Sequence, residues 1–298
     1  MDRIYPVRIE KLGTVDCDMV ETTPIVFRDM PYLFEYVRAS YWNNSHGRSY
    51  FRFVSLEDWS PTAPFGWGRH LGSAYTEEDV VYVYSVDKWG GSEVEVIWSK
   101  DLENWRRAVA LNTPGWGCYN TSVCRADDGY VMALEVGEPP QLVGRRFTIF
   151  FARSDDLLHW KLLPTHICYS KDRYTACPSI RFIDGWFYMT YLEEKEGPLY
   201  ETFVARSRDL ADWEPSQLNP MLHPSPEDKK IANPSIPAGL RDRIRVAQNI
   251  NNSDLDLCEH SGRTILAYSW GNQRGNEFLA LAEFRGTMKE LFESFYPH

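Results

Sequence analysis

Short runs of aromatic and β-branched residues recur along the whole chain, each bounded by a polar turn. Five such runs follow a tight turn. Tyr32–Tyr36 follows Arg28-Asp29-Met30-Pro31, Val80–Tyr84 follows Glu77-Glu78-Asp79, and Tyr130–Leu134 follows Asp127-Asp128-Gly129. Trp186–Thr190 follows Asp184-Gly185, and Thr264–Tyr268 follows Ser261-Gly262. Runs of this composition, flanked by Gly, Asp and Ser, predict β-hairpins.

A second pattern is superimposed on the first. Ser99-Lys100-Asp101-Leu102-Glu103-Asn104-Trp105 reads S-x-D-L-x-x-W, and it returns at Ser154–Trp160 and Ser207–Trp213, with a degenerate copy at Ser55–Trp59. Each copy follows a strand-like run: Tyr50–Val54, Val94–Trp98, Phe147–Ala152 and Thr202–Ala205. The period is roughly 50 residues, the length of one propeller blade. The motif predicts a turn between a third and a fourth strand, with Asp accepting backbone N–H groups and Leu and Trp wedged into the gap to the next blade. The chain is therefore expected to be all-β. It should form a five-bladed β-propeller with four antiparallel strands per blade, in one domain with blades near 21–65, 70–112, 119–164, 174–218 and 251–285. Thr287–Phe295 reads as a closing amphipathic stretch, and the Pro220–Pro237 loop is expected to line or cover the mouth.

Composition narrows the partners. The net charge is -10, which argues against a nucleic-acid surface. No basic stripe suits an anionic membrane, and no apolar run reaches the roughly 20 residues that span one. The six cysteines are scattered without a CxxC pair, so free thiols are expected rather than a disulfide framework or a zinc site. No apolar leader stands near Met1, and a cytoplasmic location is expected.

Propeller geometry selects the candidate site. First-strand starts and second-strand ends meet at one mouth. The starts are Glu21–Thr23, His70–Ser73, Tyr119–Thr121, Tyr174–Cys177 and Asn251–Asp256; the ends are Arg38, Asp87, Glu135, Glu193 and Trp270–Asn272. Glycoside hydrolysis needs two carboxyl groups across the scissile bond, and this funnel supplies several. Asp254 and Asp256 alternate with Leu255 and Leu257, which predicts a shared face for the two carboxylates. Each residue also has a structural reading. Glu21 can be an exposed residue before a strand, Glu135 an acceptor for backbone N–H groups, and Asp254 a turn cap. Glu193 can be solvated loop charge, His70 a structural histidine, Arg38 a structural ion-pair partner and Trp270 inter-blade packing.

The five blades, the S-x-D-L-x-x-W turns at Ser99–Trp105, Ser154–Trp160 and Ser207–Trp213, and the carboxylate funnel resemble the five-bladed propeller glycoside hydrolases of families 43, 62, 32 and 117. The resemblance spans about Glu21–Phe284. It implies removal of a terminal sugar, often a furanose, from a small oligosaccharide or glycoside, without a cofactor. Under it Glu21 is the candidate base, Glu135 the candidate acid, and Asp254 and Asp256 tuning or secondary catalytic groups. Arg38, His70, Asn120, Glu193 and Trp270 would hold the sugar. The chain departs from family 43 in three places. Glu21-Thr22-Thr23-Pro24 stands where an Asp-Pro is usual, no Asp stands near Leu71-Gly72-Ser73, and Glu-Gly-Pro occurs only at Glu196-Gly197-Pro198. Two other classes remain open: a non-catalytic sugar-binding propeller, and a phosphorylase that would need a basic anion pocket.

Overall fold

The computed structural model describes residues 8–39, 48–196 and 199–297. Gly197 and Pro198 of the Glu-Gly-Pro stretch therefore lie outside the described residues. The chain opens with β1 (Glu10–Cys17), whose partner comes last in the sequence. Blade one holds β2 (Thr22–Phe27), β3 (Met30–Arg38) and β4 (Ser49–Ser55). Blade two holds β5 (His70–Glu77), β6 (Val80–Val86), β7 (Glu93–Ser99) and β8 (Arg106–Asn112). Blade three holds β9 (Gly117–Ala126), β10 (Gly129–Glu138) and β11 (Thr148–Ser154), with the short β12 (Lys161–Leu162) and β13 (Cys168–Tyr169) at its edge. Blade four holds β14 (Thr175–Ile183), β15 (Trp186–Lys195), β16 (Leu199–Ser207) and β17 (Trp213–Pro215). Blade five holds β18 (Asn251–His260), β19 (Arg263–Gly271) and β20 (Glu277–Phe284), and β1 pairs antiparallel with β20 as its outer strand.

Three blades differ from the expected four consecutive strands, and in blade three the fourth position is split between β12 and β13, which pair with separate parts of β11. In blade one the fourth position is filled by single bridges, Val54 to Pro61 and Phe51 to Phe65, because two prolines and two glycines between Pro61 and Gly68 interrupt a continuous ladder. In blade five the range 251–285 lacks its outer strand, which the N-terminal segment supplies.

The inner strands β2, β5, β9, β14 and β18 lie side by side in that order, and β18 returns to β2. Small hydroxyl side chains tie them together. Thr23 Oγ1 accepts from the Ala74 N–H at 3.3 Å, Ser73 and Thr121 hydroxyls meet at 2.9 Å, Ser122 Oγ accepts from the Ile180 N–H at 3.0 Å, and Ser179 Oγ donates to Asp256 at 2.5 Å.

The repeated motif folds as its residue types require. Ser99 Oγ accepts the N–H groups of Asp101 and Leu102, and Asp101 Oδ1 accepts those of Glu103 and Asn104 at 2.9 and 2.7 Å. The same bonds recur at Ser154–Asp156 and Ser207–Asp209. The Leu of each copy takes a left-handed φ of 62°, 66° and 68° and is buried. The Trp packs on the preceding blade rather than the next. Trp105 stacks on Phe65 at 3.8 Å, Trp160 meets Tyr84 at 5.7 Å, and Trp213 stacks on Phe151 at 5.7 Å.

The long loop after blade four also differs from expectation. It runs beside β1, where the Thr14 N–H donates to the Lys230 carbonyl at 2.7 Å and the Thr14 carbonyl accepts from Ala232 at 2.9 Å. Buried Asp228 in this loop pairs with Lys11 at 2.7 Å. The loop thus clamps the ring-closing strand and lines no part of the mouth pocket described below. Helix α1 (Pro140–Val143) sits in blade three, α2 (Ala238–Val246) leads into blade five, and α3 (Met288–Ser294) closes the chain on a Thr287–Glu290 capping box.

Candidate active site

Four inner strands carry a bulge at one level. Residue pairs Leu71-Gly72, Tyr119-Asn120, Cys177-Pro178 and Asp254-Leu255 each stand opposite a single residue of the neighbouring strand. Leu71, Cys177 and Asp254 have φ of 54°, 49° and 53°. A bulge re-aims side chains and bends its strand. Here the bulges turn Leu71, Asn120, Cys177 and Asp254 into one pocket of about 390 Å³. Glu21, just before β2, and Arg38, at the end of β3, complete its polar floor. Trp89, Tyr119, Phe147, Tyr174 and Tyr200 wall it with aromatic faces.

Glu135 is the buried centre of this pocket, 2% exposed. Its Oε2 accepts the Cys177 N–H at 2.7 Å and the Asn120 Nδ2 at 3.0 Å. Burial outweighs these donors, and the nearby Asp254 and Glu21 charges add to it; the carboxyl is pushed up to about 7. Asp254 is also raised by burial, opposed by hydrogen bonds from Cys177, Ser253 and Ser269. Ser269 Oγ donates to it at 2.9 Å. Three candidate carboxylates, Glu21, Glu135 and Asp254, thus converge although they lie far apart in sequence.

Asp256 is absent from the lining shared with Glu135 and meets only Glu21 and Asp254, in an adjoining recess. The Asp254-Leu255 bulge breaks the simple alternation that predicted a shared face. Asp256 instead lines the narrow recess below the pocket, where Ser179 and Arg181 bind it at 2.5 and 2.6 Å. Trp270 is fully buried. It stacks on Phe278 at 4.5 Å, and its Nε1 donates to Thr14, so it is core rather than a sugar platform. Glu193 lies in the β15–β16 hairpin with Arg173 at 3.9 Å and Lys195 at 3.3 Å, outside the pocket lining. His70 is buried behind the wall. Its Nδ1 meets the Tyr36 hydroxyl at 2.5 Å and its ring meets Trp89 edge-on. Arg38 and Asn120 do reach the pocket, and the Arg38 guanidinium lies 4.8 Å from the Trp89 ring centre.

Two residues escape a sequence reading. Cys177 stands among the expected strand starts, but only its bulge makes it a pocket residue. Glu277 is fully buried behind Asp254, accepts the Gln273 N–H, and is pushed up to about 8 by burial. A polar residue opening the otherwise apolar run Phe278–Ala282 is the one local signal for it.

No protein-family model matches the chain, and no curated protein matches it. Solved structures do. A thermostable family-43 glycoside hydrolase superposes with a TM-score of 0.66 at 14% identity, covering 90% of each chain. The family-43 endo-arabinanase from Bacillus licheniformis gives 0.58 at 11% identity, covering 91% of this chain and 96% of its own. The Bombyx mori family-32 β-fructofuranosidase gives 0.58 at 12% identity, covering 93% of this chain and 62% of its own. This chain therefore has the five-bladed propeller fold of the family 43 and family 32 glycoside hydrolases.

Proposed function

We propose that the protein is a glycoside hydrolase that removes a terminal sugar, preferably a furanose, from a small oligosaccharide or glycoside with inversion. One observation carries this reading. Glu135 is a buried carboxyl raised to about 7, in an aromatic-walled pocket with a second and third carboxylate close by. A general acid must be protonated near the working pH, and burial is how a carboxyl becomes one. Glu135 would protonate the leaving oxygen. Glu21 would activate the attacking water, and Asp254 would tune both. A pocket of about 390 Å³ lies at the small end of ligand sites, which suits a terminal residue rather than a long chain. The same fold in families 43 and 32 supports the class; the preference for a furanose rests on the propeller glycosidase resemblance, and that for inversion on the resemblance to families 43 and 117.

A phosphorylase is less well supported. Among the described lining residues Arg38 is the single cation, against Glu21, Glu135 and Asp254. A cytoplasmic site of action is proposed as well, in keeping with six cysteines held as thiols. A panel of 4-nitrophenyl furanosides and pyranosides tests the main reading. Release of nitrophenolate from one member, reduced at least about 100-fold in Glu21→Gln, is the expected result. Saturable sugar binding with no turnover would make the protein a binding propeller instead.

A further inference from the structure

The tip of the β19–β20 hairpin carries a carboxamide to the mouth pocket. Gln273 lines that pocket together with Asp254. It stands in a turn closed by the Asn272 N–H, which donates to the Asn276 carbonyl at 3.0 Å. Its φ is 53°, and its main-chain N–H donates to the buried Glu277 carboxyl. A non-glycine residue takes a left-handed φ at a steric cost, and such costs cluster where function needs a side chain re-aimed. The side chain then joins a row of buried hydroxyls. Gln273 Nε2 donates to Ser253 Oγ at 3.2 Å, the Ser253 and Ser269 hydroxyls meet at 2.8 Å, and Ser269 Oγ donates to Asp254 at 2.9 Å. Both serines are fully buried, and neither lines the pocket.

Each serine hydroxyl has one proton, and this sets the direction of the row. Ser269 gives its proton to Asp254, its other acceptor being the Ser253 carbonyl at the longer 3.5 Å. Ser253 therefore donates to Ser269, and its oxygen is left to accept from Gln273. Only the amide nitrogen can fill that place, so the carbonyl Oε1 is the end left for a ligand. Among the described residues no hydrogen-bond donor reaches it. Ligand pockets combine apolar walls with a few placed polar groups that fix orientation. We propose that Gln273 is a sugar-binding residue whose Oε1 accepts a hydrogen bond from one hydroxyl of the bound sugar, held in that orientation by the two-serine relay that ends on Asp254. This role rests on the carbohydrate reading above; the hydrogen-bond relay does not. A placed acceptor favours an O–H at one ring position over any group that cannot donate there. The relay also puts the residue that recognises the sugar and a carboxylate of the pocket in one buried frame.

The test is calorimetric titration with free L-arabinose, D-xylose, D-galactose, D-glucose and D-fructose, then with the monodeoxyfluoro analogues of whichever binds best. Fluorine cannot donate. At one ring position the fluoro analogue should bind wild type about three- to tenfold more weakly than the parent sugar, the worth of one neutral hydrogen bond. Gln273→Met keeps the bulk and removes the acceptor. It should bind the parent sugar about three- to tenfold more weakly than wild type does, and the fluoro penalty at that position should vanish. If Gln273→Met does not fold, Gln273→Gly takes its place, because glycine accepts the left-handed φ. Ser253→Ala leaves Gln273 in place but frees its carboxamide to turn. It should weaken binding of the parent sugar as well, and the double variant should bind no more weakly than Gln273→Met alone. The proposal is overturned if no position shows a penalty that Gln273→Met abolishes, if the Ser253 and Gln273 losses simply add, or if none of the sugars binds. Sugar binding without turnover of any 4-nitrophenyl glycoside sinks the glycosidase reading alone. Turnover with a KM unchanged in Gln273→Met sinks the role of Gln273 alone.

Discussion

The indole Nε1 of Trp270 donates to Thr14 Oγ1 at 3.0 Å, joining residues 256 positions apart. Thr14 lies on β1 and Trp270 on β19, so this bond crosses β20 inside the last blade. Thr14 Oγ1 in turn donates to the Asp228 carbonyl at 2.7 Å. One hydroxyl therefore couples the N-terminal strand, the last blade and the loop that clamps them. Ring closure depends on β1 staying paired, because without it β20 becomes an open edge.

Thr14→Val keeps the shape and removes the hydroxyl. The buried indole N–H and the Asp228 carbonyl both lose this partner. Leaving a buried polar group unsatisfied costs about 1–3 kcal/mol. Urea unfolding should show a loss in that range, with catalysis in the remaining folded protein unchanged. A midpoint equal to wild type would show that closure does not rest on this contact.

The turn motif should behave as a purely structural device. Asp209 Oδ1 accepts the N–H groups of Ala211 and Asp212, each at 2.9 Å, and these bonds hold its carboxyl below the usual range. Asp209→Ala should lower stability by about 1 kcal/mol at neutral pH. A depressed folded-state pKa stabilises above the unfolded value, and the benefit is lost as pH falls through the folded one. The gap between wild type and variant should therefore close in acid. Thermal unfolding at pH 7 and below pH 3 checks this, and an equal gap at both would assign the loss to packing.

Glu277 works in the opposite sense. Its ordinary value of 4.5 is pushed up to about 8 in the fold. Between those values the folded state holds a proton that the unfolded state releases. Its contribution is therefore fully present below 4.5 and fades as pH rises through about 8, with a slope of at most about 1.4 kcal/mol per pH unit. Glu277→Gln removes that titration. Denaturant midpoints from pH 5 to 8 should fall less steeply in the variant than in wild type, and parallel curves would show that Glu277 stays ionised.

These residues mark where sequence reading stops. The turn motif is local: its Ser and Asp accept backbone N–H groups within three positions, so the repeat is visible in one dimension. The hairpins are equally local. Strand β1 is not, because its partner β20 is specified by a pairing across nearly the whole chain. Nor are the bulges. Asp254 and Asp256 obey strict alternation on paper, yet one extra residue sends Asp254 to the pocket and Asp256 to Arg181. The same irregularity hides Cys177, whose residue type gives no hint of a left-handed backbone. Trp270 and Glu193 have the right residue types at strand ends, but the first points into the core and the second into an ion-pair cluster with Arg173 and Lys195. Glu21, Arg38, Asn120, Glu135 and Asp254 are legible because propeller topology alone sets which strand ends share a mouth.

The acid and base roles separate by leaving group and by pH. Glu135 must carry its proton to act, and it is held at about 7 by burial. Turnover should therefore fall as pH rises through about 7, the limb being set by loss of that proton. Glu135→Gln cannot protonate the leaving oxygen, and removing a general acid typically costs about 10²–10⁴ in rate. The loss should be largest for an alkyl glycoside and small for a 2,4-dinitrophenyl glycoside, whose leaving group needs no proton. What turnover remains should lack the alkaline limb. Glu21→Gln should differ on both counts. Without a base to activate water the loss, again at least about 100-fold, should be similar for both leaving groups, and the alkaline limb should persist. Sugar binding should survive in each variant, because neither change alters the aromatic walls. Equal losses of Glu135→Gln on the two substrates would remove Glu135 from the acid role. Near-normal turnover of Glu21→Gln would pass the base role to Asp254, the remaining carboxylate that lines the pocket, and not to Asp256, which Arg181 and Ser179 already occupy.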